Sequence, residues 1–349
     1  MTEENHRKGS RKKHHTGVLI AAIAVVGVML LLVGGLFMVY DHYFRKSNFM
    51  TDPESIEYSS DILESMIAST EIDRSEESSL IALIESLSDK MNSVVIETEE
   101  DATLPDIRDA NVYNLLMIGV DRRSASWNGN SDTMVVMSLN YSKKTLTLTS
   151  LMRDTAANIP GVGIRKLNHA FAVGGGPLLV ETVRQNYGIP IDNYMWTDFA
   201  EMEAIINIVG GIDLFLSVSE AARAKCVISE PQVVHLNGEQ AVLYARDRSS
   251  GGSDYMRTQR QRNVLLAIMN KAKSGSLGNL ARIADEILPH VTHNIDPAKM
   301  LTLIADLTQI AQYTPQEQRI PYDGLYYSSN ELLIPNYEET QARWRAFVY

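Results

Sequence analysis

Residues 111–155 read NVYNLLMIGVDRRSASWNGNSDTMVVMSLNYSKKTLTLTSLMRDT. The runs at 112–120, 133–140 and 145–151 are apolar or alternate between apolar and polar residues, which predicts three buried strands. A polar turn at 141–144 joins the second strand to the third. The order of these runs predicts an antiparallel meander, in which the first and third strands end at the edge of the sheet where the second begins.

Charged side chains gather at that edge. Asp121 follows the first strand, Asp132 precedes the second, Arg153 follows the third, and the first loop adds Arg122 and Arg123. Two neighbouring carboxylates repel each other unless a positive group lies between them. Mg²⁺ fits such a place because it binds through one or two carboxylates together with substrate phosphates. The alternative interpretation is that Asp121 caps a turn and Asp132 pairs with a nearby arginine.

A second charged group occurs in LYARDRSSGGSDYMRTQRQR, residues 243–262. Arg246 and Arg248 are two positions apart, so an extended segment would direct both to one side. A helix is predicted to begin at Asp254 and to carry three more candidates on one face, namely Arg257, Arg260 and Gln261. Guanidinium groups and a helix N-terminus both bind phosphate oxygens. The alternative is a solvated basic face, which is unusual in a chain of net charge −11.

The rest of the chain predicts alternating elements. Helices are expected at 177–185, 199–209, 237–245, 254–273 and near 297–311, and strands at 212–218 and within 317–335. This pattern predicts an α/β domain over residues 111–349, with a central mixed sheet flanked by helices. The glycines at 174–176 match no nucleotide-binding spacing and indicate the start of a helix, with a phosphate cradle as the lesser alternative. Lys166 is either a further phosphate contact or a surface lysine, and His169 is expected to be structural.

The N-terminal region predicts a membrane anchor. Residues 17–40, GVLIAAIAVVGVMLLLVGGLFMVY, carry no charge and have the length of a bilayer-spanning helix. The run is longer than the apolar part of a cleavable signal peptide. Five basic residues precede it, which places the tail 1–16 in the cytoplasm and the remainder outside the cell membrane. The alternative, a buried core helix, fits poorly because such helices carry a polar face.

Residues 41–110 are acidic and rich in serine and glutamate. Apolar residues at helical spacing within this segment predict two amphipathic helices that fold back on the domain or the membrane, and a disordered linker is the alternative. The acidic chain argues against a nucleic-acid partner. The single cysteine, Cys226, cannot form an intrachain disulfide, and we expect it to be a buried apolar residue.

Several unusual strings occur in the order found in the LytR-CpsA-Psr (LCP) family of cell-envelope phosphotransferases, which the chain therefore resembles. They are NLLMIGVDRR, SDTMVVMSLN, SLMRDT, RKLNHAFAVGGGPLLVETV, IDNYMWTDFAEMEAIINIVGGIDL, LNGEQAVLYARDR and SDYMRTQRQRNVL. The resemblance covers residues 111–273 and continues more weakly to about 345. The N-terminal anchor agrees with the family pattern.

The resemblance implies a role for individual residues. Asp121 and Asp132 correspond to the metal-binding acids of the family, with Mg²⁺ or Mn²⁺ as the cofactor. The pyrophosphate-binding set consists of Arg153, Arg246, Arg248, Arg257, Gln261 and Lys166. Leu167 and His169 depart from the residues that usually follow this lysine. Arg123 and Arg260 are added as candidate substrate contacts because they lie within the two charged groups.

The implied activity is transfer of a glycan phosphate from a polyprenyl-pyrophosphate carrier to peptidoglycan, which would attach a teichoic acid or capsule-like polymer. A lipid pocket is then expected between the sheet and the helices at 177–185 and 199–209. Its candidate wall residues, which could equally be ordinary core, are Leu178, Leu179, Val183, Met202, Ile206 and Val209. The alternatives are a hydrolase of the same lipid carrier and a non-catalytic glycan-binding regulator. Asp132 is the candidate acceptor for the proton of the attacking hydroxyl.

Overall fold

The computed structural model describes residues 48–49, 108–122, 128–248, 254–273, 282–283, 285–329 and 331–349. The predicted tail 1–16, the predicted anchor 17–40, Arg123 and most of the acidic segment 41–110 lie outside the described residues. Within the described ranges, every helix is too short or too polar to cross a bilayer. Residues 48–49 form a two-residue strand, and the predicted amphipathic helices lie outside the described residues.

The strands are β1 Asn48–Phe49, β2 Val112–Asp121, β3 Asn130–Asn140, β4 Thr145–Leu151, β5 Ala156–Ile159, β6 Gly163–Lys166, β7 Asn193–Asp198, β8 Ile212–Leu216, β9 Gln232–Leu236, β10 Thr292–His293, β11 Thr314–Ile320, β12 Tyr326–Ser329 and β13 Leu332–Pro335. The helices are α1 His169–Tyr187, α2 Phe199–Ile208, α3 Val218–Arg223, α4 Gly238–Arg246, α5 Asp254–Lys273, α6 Pro297–Ile310 and α7 Tyr337–Val348. A short 3₁₀ helix spans Leu288–His290.

The main sheet has seven strands in the order β1-β10-β7-β2-β3-β4-β11. β2, β3 and β4 pair antiparallel in succession, which confirms the predicted meander. β7 pairs parallel to β2, and β11 pairs parallel to β4, so the sheet is mixed as expected. β7 was not predicted from the sequence, because its run NYMWTD is short and polar at both ends.

The two faces of this sheet bury different sets of side chains. On one face Leu116, Ile118 and Val120 pack with residues of α1 and α7 in a large apolar core. On the other face Tyr113 and Leu115 belong to a second core that includes residues of α5 and α6. The alternation of side chains along β2 therefore assigns even-numbered residues to the first face and odd-numbered residues to the second.

The glycine run 174–176 lies within α1 and not before it. Gly174 and Gly175 have non-helical backbone angles, and Gly175 has a φ of 64°, so the helix is kinked there. A side chain on Gly176 would come within 2.2 Å of the Tyr194 ring on β7, so only glycine permits this close approach. The run thus serves packing on the first face of the sheet. The phosphate cradle has no support, because these glycines do not line the cavity described below.

A third apolar core lies under the β8–β9 hairpin. Ile212, Leu216 and Leu236 on its inner side pack with residues of α2, α4 and α5. α4 begins with a capping box in which Asn237 and Gln240 bond each other's backbone N–H groups. The hairpin, α2 and α4 thus form a layer beside the second face of the main sheet.

We predict that Trp344→Ala destabilises the protein by about 3–5 kcal/mol, because the substitution leaves a large void between α7 and the sheet. Trp344 is fully buried, and its indole N–H donates to the Thr149 hydroxyl at 3.2 Å. The measurement is denaturant unfolding of the full chain in detergent.

The matched control is Phe347→Ala on the same helix, since Phe347 is exposed. The control should shift the free energy of unfolding by less than about 0.5 kcal/mol. Equal losses for both substitutions would contradict the assigned packing of α7.

Candidate functional site

An irregularity in the pairing of β2 and β3 builds the site. Gly119 pairs with Thr133, but the next residue, Val120, pairs with Ser131, so Asp132 is an extra residue in a β-bulge. Strict alternation would put Asp132 beside Val120 on the first face, in the apolar core. The bulge instead lets Asp132 line the same cavity as Thr133 and Asp121, on the second face.

Three guanidinium groups surround the Asp132 carboxylate. Arg153 Nη1 donates to Oδ1 at 3.0 Å, while Arg257 Nη1 and Arg248 Nη2 lie 3.6 and 3.7 Å from Oδ2. Asp132 therefore contacts arginines, as one half of the alternative interpretation predicts. These contacts bring together the end of β4, the segment after α4 and the start of α5, as the two charged groups of the sequence predicted.

Asp254 connects two of these arginines and was missed as a site residue. Its carboxylate lies 3.4 Å from Arg153 Nε and 3.0 Å from Arg257 Nη2. Arg153 also contacts Asp154 at 3.5 Å. Asp254 and Arg257 are three residues apart on a helix, a spacing that predicts an ion pair. Asp254 was instead predicted only to begin the helix.

Burial and charge act in opposite directions on these guanidinium groups. Burial lowers the pKa of Arg257, and the Asp254 carboxylate opposes this shift. Burial also acts to lower the pKa of Arg153, but Asp254, Asp154 and Asp132 outweigh it and raise the pKa. Both groups remain charged at neutral pH. The Nε–H of Arg257 is buried and donates no hydrogen bond to any group in the described part of the chain.

A cavity of about 510 Å³ lies between the second face of the sheet and helices α2, α4 and α5. Its polar lining includes Asp121, Asp132, Arg246, Arg248, Arg257 and Gln261. Its apolar lining includes Met117, Met195, Phe199, Met202, Ile205, Ile206, Ala241, Val242, Ala245, Val264, Leu265, Ile268, Ile287 and Val291. One concave space thus combines a charged group with a large apolar wall.

The polar and apolar linings occupy opposite ends of this cavity. Along β2 the lining passes from Met117 to Asp121, and along α5 it passes from Arg257 to Ile268. Arg257 contacts Asp132, so the charged part of α5 lies beside the charged part of the sheet. Eleven helical residues separate Arg257 from Ile268, which corresponds to about 16 Å. The cavity is therefore amphiphilic along its length.

Arg246 and Arg248 reach the cavity differently from the prediction. Arg246 is the last residue of α4 and Arg248 follows the helix, so the extended segment expected here was wrong. Arg246 lies over the Phe199 ring, with 4.2 Å between its guanidinium carbon and the ring centroid. Arg248 is more than half exposed at the cavity margin.

Two other candidates have structural partners away from the cavity. Arg260 is almost fully buried, and it pairs with Glu220 at 3.0 Å and donates to the Asp247 carbonyl at 2.9 Å. It does not line the cavity, so the single face expected for Arg257, Arg260 and Gln261 was wrong for Arg260. Lys166 lies 3.0 Å from Asp154 and 3.4 Å from Glu331, and it also does not line the cavity.

The cavity wall differs from the expected one. Met202 and Ile206 on α2 line the cavity as proposed, but Val209 does not. Leu178, Leu179 and Val183 belong to the core on the opposite face of the sheet. The predicted lipid pocket beside residues 177–185 was therefore wrong, because α1 covers the first face while the charged residues lie on the second. α4 and α5 supply the wall that had been assigned to α1.

The chain matches the model of the LytR_cpsA_psr family over residues 74–346. It is 34% identical over 208 residues to TagV of Bacillus subtilis, which covers 57% of this chain and 52% of TagV. It is 28% identical over 314 residues to TagU of Oceanobacillus iheyensis, which covers 88% of this chain and 85% of TagU. Both relatives are named polyisoprenyl-teichoic acid–peptidoglycan teichoic acid transferases. The match thus spans about half the length of TagV.

Solved structures resemble this fold. A structure of TagT bound to LI-WTA superposes with a TM-score of 0.56 at 25% identity, covering 71% of this chain and 96% of TagT. The crystal structure of B. subtilis TagV gives a TM-score of 0.55 at 27% identity, covering 69% of this chain and 98% of TagV.

We predict that Asp254→Asn destabilises the protein by about 1–3 kcal/mol, because two largely buried guanidinium groups lose a shared charged partner. The measurement is the denaturation midpoint of the full chain.

The matched control is Asp323→Asn, which removes the partner of Arg319 at an exposed site. This surface pair should contribute less than about 1 kcal/mol. A midpoint for Asp254→Asn that equals the control would show that Asp254 does not hold the arginines.

Proposed function

Since the chain belongs to the LytR_cpsA_psr family, we propose that it transfers a glycan phosphate from a polyprenyl-pyrophosphate-linked donor to peptidoglycan. The names of TagV and TagU as teichoic acid transferases support this activity. The binding of LI-WTA by TagT is consistent with it. The product would be a teichoic acid or a capsule-like polymer linked to the wall.

The amphiphilic cavity is the observation that carries the proposal. A polyprenyl diphosphate has an apolar chain at one end and a compact negative charge at the other. The cavity offers Val264, Leu265 and Ile268 to the chain, and Arg257 and Gln261 to the charge, along a single helix. The lipid would lie along α5 with its diphosphate beside Asp132 and the surrounding arginines.

The charged end is suited to phosphate oxygens. Arg248 is exposed at the margin and would turn its guanidinium fork onto an oxygen of the diphosphate. The unpartnered Nε–H of Arg257 would donate to another. Arg153 would hold Asp132 in place through the hydrogen bond of 3.0 Å. Its positive charge would also balance the negative charge of the diphosphate.

The proposed reaction exchanges one P–O bond for another. A peptidoglycan hydroxyl oxygen attacks the phosphorus that bears the glycan, and the bond from that phosphorus to the bridging oxygen breaks. Polyprenyl phosphate leaves with the bond's electron pair, and the hydroxyl proton passes to a base, for which Asp132 stays our candidate. Positioning and charge stabilisation supply most of the catalysis in such transfers.

Asp121 and Asp132, two of the three carboxylate residues that line the cavity, suit a divalent cation. Asp121 and Asp132 come from adjacent strands, and both line the cavity. No three acidic, histidine or cysteine side chains among the described residues are placed to hold one metal ion, so the protein would supply two ligands and the diphosphate the others. Bound Mg²⁺ or Mn²⁺ would neutralise charge on the diphosphate oxygens.

The setting of this reaction is also a proposal. Residues 17–40 would anchor the chain in the cell membrane, with the tail 1–16 in the cytoplasm and the catalytic domain outside. The donor and the peptidoglycan acceptor would then be reached from the same side of the membrane. The substrate chemistry requires no nucleic acid.

We predict that Arg248→Ala lowers kcat/KM for transfer about 10²–10³-fold while the unfolding midpoint stays unchanged, because the exposed side chain is not part of the core. Arg248→Lys should recover part of the loss, since lysine keeps the charge but not the fork. The assay follows glycan transfer from a polyprenyl-pyrophosphate donor with and without peptidoglycan.

Arg184→Ala on the outer side of α1 is the matched control and should transfer normally, because Arg184 only pairs with exposed Glu181. Equal release of glycan phosphate with and without peptidoglycan would identify the protein as a hydrolase. Normal transfer by Arg248→Ala would remove its assigned role.

We also predict that transfer stops in excess chelator and returns with Mg²⁺ or Mn²⁺. Asp121→Asn should raise the Mg²⁺ concentration for half-maximal rate at least about tenfold, because a neutral amide is a weaker ligand than a carboxylate. Asp323→Asn, at an exposed position, is the control. Transfer that is insensitive to the chelator would exclude the metal.

A further inference from the structure

We propose that the apolar outer side of the β8–β9 hairpin docks onto the surface of the lipid bilayer. This docking patch consists of Phe215, Val218, Val227 and Val233. The proposal rests on the proposed function in one respect, namely that the donor substrate is a membrane lipid.

The patch is the main concentration of exposed apolar side chains in the described part of the chain. The described part of the chain has seven exposed large hydrophobic residues, and four of them fall within residues 215–233. Phe215 and Val233 are directly opposite in the β8–β9 register, and they are 67% and 64% exposed. Val227 is fully exposed in the loop that leads to β9. Exposed apolar clusters of this kind mark interaction surfaces.

All four residues lie toward one end of the hairpin. Phe215 is next to the last residue of β8, Val218 begins α3, and Val233 is the second residue of β9. The chain from 217 to 231 leaves and re-enters the hairpin at this end. The patch is thus a tip and not a scatter of separate residues.

Three acids near this tip are paired, and a fourth, Glu230 in the loop that leads to β9, is exposed. Asp213 lies 2.9 Å from Lys271 and 2.7 Å from His235, and Glu220 lies 3.0 Å from Arg260. Glu239 is paired with Lys225. An acidic chain of net charge −11 would be repelled by anionic lipids, and this local pairing reduces that repulsion where the apolar residues are exposed.

The patch backs onto the wall of the amphiphilic cavity. The inner side of the hairpin packs in one core with Ile206, Ala241 and Val264. The same three residues line the cavity. The strands of the hairpin, their inner side chains and the cavity-lining residues therefore lie between the exposed patch and the space proposed for the polyprenyl chain. A bilayer against the patch would shorten the path of the lipid into the cavity.

The segment between the predicted anchor and the first strand is short. Only residues 41–47 separate the predicted anchor from β1, and seven residues reach at most about 25 Å. β1 pairs with β10, which follows the cavity residue Val291.

The first test locates the patch directly and needs no activity. The full chain carrying Cys226→Ser and Val227→Cys is spin-labelled and reconstituted into phosphatidylcholine–phosphatidylglycerol vesicles. We expect the label to collide more often with dissolved oxygen, which concentrates in lipid, than with a water-soluble nickel chelate. The same label at the exposed control position Glu338 should show the reverse order. A water-like result at residue 227 would overturn the proposal, as would spin–spin broadening that grows with protein density and indicates a second copy on the patch.

The second test separates docking from catalysis. Phe215→Ser/Val233→Ser should raise KM about tenfold for a long-chain polyprenyl-pyrophosphate donor held in vesicles, because the lipid is no longer delivered at the cavity. KM for a water-soluble short-chain donor should stay unchanged. Equal KM values on the vesicle donor for variant and wild type would overturn the proposal. If the wild type uses neither donor, the proposed function fails, and the spin-label result alone still decides the docking.

Discussion

One extra residue in β3 determines the rest of the site. Without the bulge at Asp132, the carboxylate would enter the apolar core beside Val120, where an unpaired charge costs several kcal/mol. With the bulge, it faces a cavity and meets three guanidinium groups from β4, α5 and the segment after α4. The arginines in turn need a carboxylate because two of them are largely buried. The bulge and the charge network therefore require each other.

One arginine of α5 faces the cavity, and two others bind the helix to neighbouring elements of the fold. Arg257 faces Asp132, Arg260 pairs with Glu220 on α3, and Arg262 pairs with Glu317 on β11 at 2.9 Å. All three are nearly fully buried, which excludes a solvated basic face at these positions. α5 is thereby held to three separate elements, and this fixes the direction in which Arg257 and Gln261 enter the cavity.

The sequence predicted the structure correctly where a local pattern of residues determines it. Apolar runs and a short turn predicted the β2–β4 meander, and the clustering of Asp121, Asp132 and Arg153 followed from strand order alone. The sequence was insufficient where a contact between distant residues decides. Arg257 and Arg260 have the same chemistry and neighbouring places on the helix, and only the position of Glu220 separates their roles. The choice between α1 and α4 as cavity wall likewise depends on which face of the sheet each helix covers.

The composition of the cavity wall suits a long, flexible ligand. Protein cores pack densely, so a cavity of about 510 Å³ persists only where small or adaptable side chains replace larger ones. Ala241 and Ala245 on α4 leave room that leucine would fill. Met117, Met195 and Met202 have flexible thioether side chains that adjust to different shapes. A rigid ligand would favour a closely fitting wall of branched residues. A ligand with many rotatable bonds instead favours a wall of flexible side chains. The arginine and aspartate network at the other end would then fix the position of the diphosphate of the proposed donor, while its apolar chain could adjust to the wall.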